Sequence, residues 1–131
     1  MSKKWLRSLL VLLTIAVGVE VTLYTMESVQ TTEEAQPKPR LQVKHEVKGK
    51  DLHLQLSVSR FTFSLENMGK ENKQGEGHAH LYVDGKKAAK IFDPHYVYRN
   101  LPPGRHEIVV ELAHNNHESY GVKQSFAIEV N

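Results

Sequence analysis

The sequence contains no cysteine, and that absence excludes several kinds of chemistry. A disulfide framework, a thiolate metal site, a thiol nucleophile and a lipid attached through an N-terminal cysteine are all ruled out. Any metal ion would therefore be bound by histidine, methionine, carboxylate, amide or backbone groups.

An excess of one charge is also missing. The 17 Lys and Arg residues nearly balance the 15 Asp and Glu residues, and the basic residues are scattered among the acidic ones. A protein that binds a nucleic-acid backbone presents a concentrated positive surface. We therefore expect no nucleic-acid partner.

The sequence has no glycine-rich phosphate loop and no Gly-x-Ser-x-Gly turn. Once an N-terminal segment and a linker are subtracted, about 90 residues remain for one domain, which leaves little room for a substrate cleft beside its core. We predict that the protein is not an enzyme. The catalytic alternative is a three-histidine zinc site with Glu76 or Glu118 as general base.

The one long hydrophobic run lies at the N-terminus, and we assign residues 1–26 as a signal or anchor segment. Three basic residues before position 8 precede an apolar run over residues 9–19, in the order typical of an export signal. Residues 5–26 supply the roughly 20 positions that a membrane-spanning helix needs, and no small-x-small cleavage site is visible. The prediction is a single-pass protein of the cell membrane with its domain on the extracytoplasmic side. Secretion after cleavage is the alternative.

Residues 27–40 form a polar, proline-containing stretch that predicts a flexible linker. From residue 41 to residue 131 the apolar positions recur with a period of two, and turn signals such as Asp84-Gly85 interrupt them. About seven short strands result. This pattern predicts an all-β domain, an immunoglobulin-like β-sandwich, preceded by the N-terminal hydrophobic helix. A small barrel is the alternative fold.

Histidine is the residue type most enriched for this length. There are eight in all, and six of them lie between positions 78 and 117. Residues two apart in a strand project from the same face, so His78 and His80 present two imidazoles side by side while Ala79 enters the core. His117, in a predicted loop, is the preferred third metal ligand, because a loop at one end of a sandwich can reach the start of another strand.

Further candidate ligands carry less weight. Met68 is a soft ligand that would favour Cu(I), although a methionine in a loop more often packs into the core. His95 and His114 are outer candidates, and an ordinary polar role in a turn explains either of them. His106 shares its parity with the core positions of its strand, so we expect it to pack beside the core and donate to a backbone carbonyl.

The segment Gly75-Glu-Gly-His-Ala-His-Leu-Tyr-Val-Asp-Gly85, with Leu101-Pro-Pro-Gly-Arg-His106 and Asn115-Asn-His117, resembles a family of small exported bacterial domains. More loosely, the chain is similar to the immunoglobulin-like copper-handling proteins of the bacterial envelope, although it lacks their methionine-rich stretch. The resemblance implies copper binding through His78, His80 and His117, with zinc as the alternative ion. It also implies an envelope metal-transport protein as partner. The competing interpretation is a metal-free module for adhesion or protein interaction outside the cytoplasm.

Overall fold

A computed structural model describes residues 37–131 of the chain. The predicted signal or anchor segment with its hydrophobic helix lies outside these residues, as does most of the predicted linker. Within residues 37–131, no helix has the length and hydrophobicity needed to cross a membrane. Eight strands are present, and their bounds are β1 Arg40–Lys48, β2 Asp51–Ser59, β3 Thr62–Phe63, β4 Glu76–Val83, β5 Lys86–Ile91, β6 His95–Tyr98, β7 Gly104–Ala113 and β8 Ser119–Val130.

The strands form two sheets. One sheet has three strands in the order β1-β2-β6, and every pairing in it is antiparallel. In the other sheet β7 lies between β4 and β8, while the far edge of β4 pairs with β5 and, at its first residues, with the short parallel strand β3. The predicted all-β class is confirmed for the described part of the chain.

The core lies between the two sheets and is built from alternate residues. Leu52, Leu54 and Leu56 of β2 point inward, as do Ala79 and Leu81 of β4, and each is at most 3% exposed. Burying a leucine side chain contributes about 1.5–3 kcal/mol, so the period-two pattern fixes which face of each strand turns inward. The β4 residues that alternate with Ala79 and Leu81 therefore lie on the outer face of the sheet.

One strand was not predicted. The four-residue strand β6 follows Asp93-Pro94 and pairs with β2, so the chain crosses from one sheet to the other after β5. Its sequence, His-Tyr-Val-Tyr, is too short to show a clear alternation. Between β2 and β3 the chain bends at Arg60, which has a positive φ of 55°.

Candidate metal centre

Two histidines of β4 occupy the outer face of the five-stranded sheet. Because Ala79 and Leu81 enter the core, His78 and His80 point away from it, as the sequence predicted. Side chains on the outer face of a sheet are ordinarily exposed to solvent. His78 and His80 are not, since they are 0% and 2% exposed. Other parts of the chain therefore cover these two rings and remove them from water.

His117 reaches the same place from the turn between β7 and β8. Its backbone has a φ of 72°, in the left-handed region that histidine occupies more readily than most residues. The turn is closed by two backbone hydrogen bonds, from the His117 N–H to the carbonyl of His114 (2.9 Å) and from the His114 N–H to the carbonyl of Glu118 (2.8 Å). A non-glycine residue held in this region is a feature found more often at functional sites than elsewhere.

The three imidazoles converge through one nitrogen each. His78 Nε2 lies 2.9 Å from His80 Nε2 and 3.2 Å from His117 Nδ1, and His80 Nε2 lies 3.4 Å from His117 Nδ1. These nitrogens lie on a circle of radius about 1.8 Å, so an ion at the usual Zn–N distance of about 2.0–2.1 Å would stand just above their plane. Three imidazole nitrogens this close together can serve as ligands of one ion. We call His78, His80 and His117 the histidine triad.

A buried amide holds the β7–β8 turn against the rest of the domain. Asn115 is 0% exposed, and its Nδ2 donates to Glu76 Oε1 (3.1 Å) and to the Glu71 carbonyl (3.1 Å). Asn67 Nδ2 donates to the same Glu76 oxygen at 2.6 Å. The hydrogen bonds from Asn67 and Asn115 lower the pKa of Glu76. Glu76 is therefore an ionised anchor for the loops around the triad, and its lowered pKa makes it a weaker base than an ordinary glutamate.

Glycine is required just before the first triad residue. A Cβ on Gly77 would overlap the carbonyl oxygen of Ala113, because β4 and β7 approach closely at this point. Gly75 has a φ of +74°, and a Cβ there would meet the carbonyl of Arg60 at 3.0 Å. The Gly-x-Gly preceding His78 thus lets the backbone turn into β4 and brings the β4 histidines of the triad close to the β7–β8 turn.

The environment keeps the two strand histidines neutral. Burial lowers the pKa of His78 and of His80 to about 4, and the positive charges of Lys87 and Lys90 act in the same direction. Neutral imidazole is the form that binds metal ions. His78 Nδ1 is buried and has no hydrogen-bond partner among residues 37–131, so this ring is poorly satisfied by the protein alone.

Several groups around the triad were not predicted from the sequence. The ring of Phe92 lies 5.2 Å from that of His78, and the ring of Tyr82 lies 6.4 Å from that of His80. Lys90 is the cross-strand partner of His80. The predicted Asp84-Gly85 hairpin, taken alone, would have placed Ala89 opposite His80. A register shift between Leu81 and Tyr82 moves the pairing by one residue and brings Lys90 there instead.

The lower-ranked ligand candidates do not belong to the histidine triad. His95 is exposed on β6 in the other sheet, and the ring of His114 stacks on Tyr120 with centroids 3.6 Å apart. Met68 is half-buried in the loop between β3 and β4, where its N–H donates to the carbonyl of Leu65. The structure therefore brings together the three preferred residues and places two of the further candidate histidines elsewhere.

His106 shows how a buried histidine looks when the protein satisfies it. Its Nε2 donates to the carbonyl of Pro102 (2.6 Å), which confirms the predicted backbone bond, and its Nδ1 lies 2.7 Å from Asp84 Oδ2. A carbonyl oxygen and an ionised carboxylate only accept, so the imidazolium form of the ring, which donates from both nitrogens, satisfies both contacts. The Asp84 carboxylate raises the pKa of His106, and the same contact lowers the pKa of Asp84.

Comparison with known proteins assigns no family to the chain. No protein-family model matches the chain, and no curated protein matches it. Among solved structures, the chain is similar to the PKD1 domain from the Vibrio cholerae metalloprotease PrtV, with 9% sequence identity and a TM-score of 0.46. The similarity covers 72% of this chain and 99% of that domain.

Proposed function

We propose that the protein is a metal-binding module that holds one transition-metal ion in the histidine triad. The observation that carries the proposal is the convergence of three imidazole nitrogens, one from each ring, within 2.9 to 3.4 Å of one another. Two of the three rings, those of His78 and His80, are almost fully buried. Burial in a neutral state is costly for a polar ring unless a partner satisfies it. A cation at the centre satisfies all three nitrogens at once.

The proposed ion is copper, with zinc as the alternative. Three imidazoles without thiolate or carboxylate suit Cu and Zn equally by donor type, whereas Mg and Ca prefer oxygen. Among divalent first-row ions, copper binds nitrogen sites most tightly. The resemblance to copper-handling proteins of the bacterial envelope supports the same choice.

We place this module outside the cytoplasm, carried there by residues 1–26 and anchored by residues 5–26 in the cytoplasmic membrane. The support is the order of basic and apolar residues in that segment. An envelope metal-transport protein is the proposed partner, since a carrier must pass its ion on.

A binding role is proposed in preference to catalysis. A surface depression of about 330 Å³ lies against the three-stranded sheet and is lined by residues such as His53, Gln55 and His95. It does not include the triad. Glu76, one of the two candidate bases, is engaged by two amides.

The test is a titration of the purified protein with Cu(I), Cu(II) and Zn(II), following affinity and thermal shift. A double variant, His78→Ala with His80→Ala, is compared with a control double variant, His53→Ala with His95→Ala, which removes two histidines from the other sheet. We expect only the first variant to lose binding. If both variants bind as the natural protein does, or if the natural protein binds none of these ions, the metal-free interaction module becomes the preferred function.

A further inference from the structure

The two flanks of the triad carry unequal charge. Lys90 lies opposite His80 across the β4–β5 pairing, and Lys87 lies opposite Tyr82, which shares a face with His80. Cross-strand partners project from the same face of a sheet. On the other flank Glu111 of β7 lies opposite His80. Lys123 of β8 is in turn the cross-strand partner of Glu111, so lysines outnumber carboxylates in this part of the sheet.

A bound ion makes this imbalance larger. The three imidazole ligands are neutral, so they leave the charge of the ion uncompensated, and His78 and His80 are shielded from water. An uncompensated charge in such a place is expensive, and neighbouring positive charges add to the cost. One more negative charge next to the ion would relieve both effects.

The triad also leaves room in the coordination sphere for that charge. Three protein ligands complete three of the four positions of a tetrahedral ion, as in sites that accept an exogenous ligand. We propose that the ion held by the triad takes a small anion, such as a carboxylate or an inorganic monoanion, as its fourth ligand, and that Lys87 and Lys90 share the charge of this anion. This inference rests on the proposed metal-binding function and names the ligand class of the open position.

The experiment uses the full chain loaded with Co(II), whose visible absorption reports the coordination sphere, and titrates it with azide. The test variant is Lys87→Gln with Lys90→Gln. The matched control is Lys48→Gln with Lys86→Gln, which changes the net charge equally at two exposed lysines. We expect azide to shift the Co(II) spectrum of the natural protein, and the dissociation constant to rise about tenfold in the test variant only, as two nearby charges imply. The effect should weaken as salt is added.

The possible outcomes distinguish a failure of the anion site from a failure of the metal site. If Co(II) binds but azide leaves the spectrum unchanged, the anion site is refuted while the metal site stands. If the control variant weakens azide as much as the test variant does, general charge and not Lys87 and Lys90 is responsible, and the proposal is refuted. If Co(II) itself does not bind, the proposed function fails and the anion site fails with it.

Discussion

Replacing His78 with leucine distinguishes a ligand from a structural histidine. The ring of His78 is 0% exposed, its Nδ1 has no partner among residues 37–131, and the ring of Phe92 lies 5.2 Å away. A structural polar residue stabilises the fold through its hydrogen bonds, so its loss destabilises. A ligand that awaits a metal ion contributes its stability only when the ion is bound. We therefore predict that His78→Leu leaves the stability nearly unchanged without metal and removes the stabilisation that metal supplies.

The magnitude follows from the contacts of the ring. An unsatisfied buried polar group costs about 1–3 kcal/mol, and leucine removes that cost while packing against Phe92. Against this stand the lost hydrogen bond to the other triad rings, about 0.5–1.5 kcal/mol, and an imperfect fit of up to about 1.5 kcal/mol. Combined, these ranges run from a loss of about 2 kcal/mol to a gain of about 2.5 kcal/mol and centre near zero, so in the presence of a chelator the free energy of unfolding of His78→Leu should stay close to that of the natural protein.

In the presence of metal, the natural protein should be more stable than the His78→Leu variant. An ion at 100 times its dissociation constant stabilises the natural protein by about 2.7 kcal/mol. For a domain of this size that corresponds to a rise in melting temperature of roughly 10–20 °C. The His78→Leu variant should show almost none of this rise, because one of its three ligands is gone.

Urea denaturation at pH 7.5, with chelator and with Cu(II) or Zn(II), measures both effects. His106→Leu is the matched control, since it makes the same change at a histidine whose two nitrogens are satisfied by Asp84 and Pro102. Removing a hydrogen-bonded charged ring should cost about 1.5–3 kcal/mol with or without metal. A loss of more than about 2 kcal/mol for His78→Leu in chelator would refute the reasoning, because His78 would then be structural as well.

Three further predictions concern the supports of the site. His117→Asn retains a residue that tolerates the left-handed backbone, so differential scanning fluorimetry should show nearly unchanged stability in chelator and no metal-induced shift. The pKa of His106 is raised by Asp84, so the stabilising effect of His106 is complete below pH of about 6.5 and is lost as the pH rises through the folded pKa. Urea denaturation at pH 6 and pH 9 should show this loss of stability. The His106→Gln variant should not show this pH dependence. Gly77→Ala should cost about 3 kcal/mol or more by forcing β4 away from β7, whereas Gly85→Ala, with open space around it, should cost only about 1 kcal/mol for its positive φ.

The alternation of apolar residues was enough to predict most of the strands and the face on which the β4 histidines lie. The parity of Ala79 and Leu81 places His78 and His80 together on the outer face. The same alternation does not tell whether an outer face is wet. Here the turn carrying His117 returns over that face, and its position depends on contacts between residues far apart in sequence, such as Asn115 with Glu76.

Two other features could not be predicted from local sequence patterns, because they also depend on the tertiary structure. The left-handed backbone of His117 arises from a tight turn in which the sequence offers no glycine. The pairing of Asp84 with His106 joins a hairpin tip to a strand that starts 20 positions later, so the protonated state of His106 follows from register and not from its neighbours in sequence. Local periodicity predicts faces, whereas the charge state of a buried ring is decided by long-range pairing.

The comparison of the two kinds of buried histidine explains why the triad is best satisfied by a cation. His106 faces one acceptor at each nitrogen, so an imidazolium fits it completely. In the triad three nitrogens face only each other. If all three carried hydrogen the protons would clash, and if none did the lone pairs would repel. A single proton can be directed at two neighbours at most, and those two acceptors still face each other at 2.9 to 3.4 Å. Every proton distribution therefore leaves at least one repulsive contact in a water-poor place, and an ion that accepts three lone pairs removes all of them.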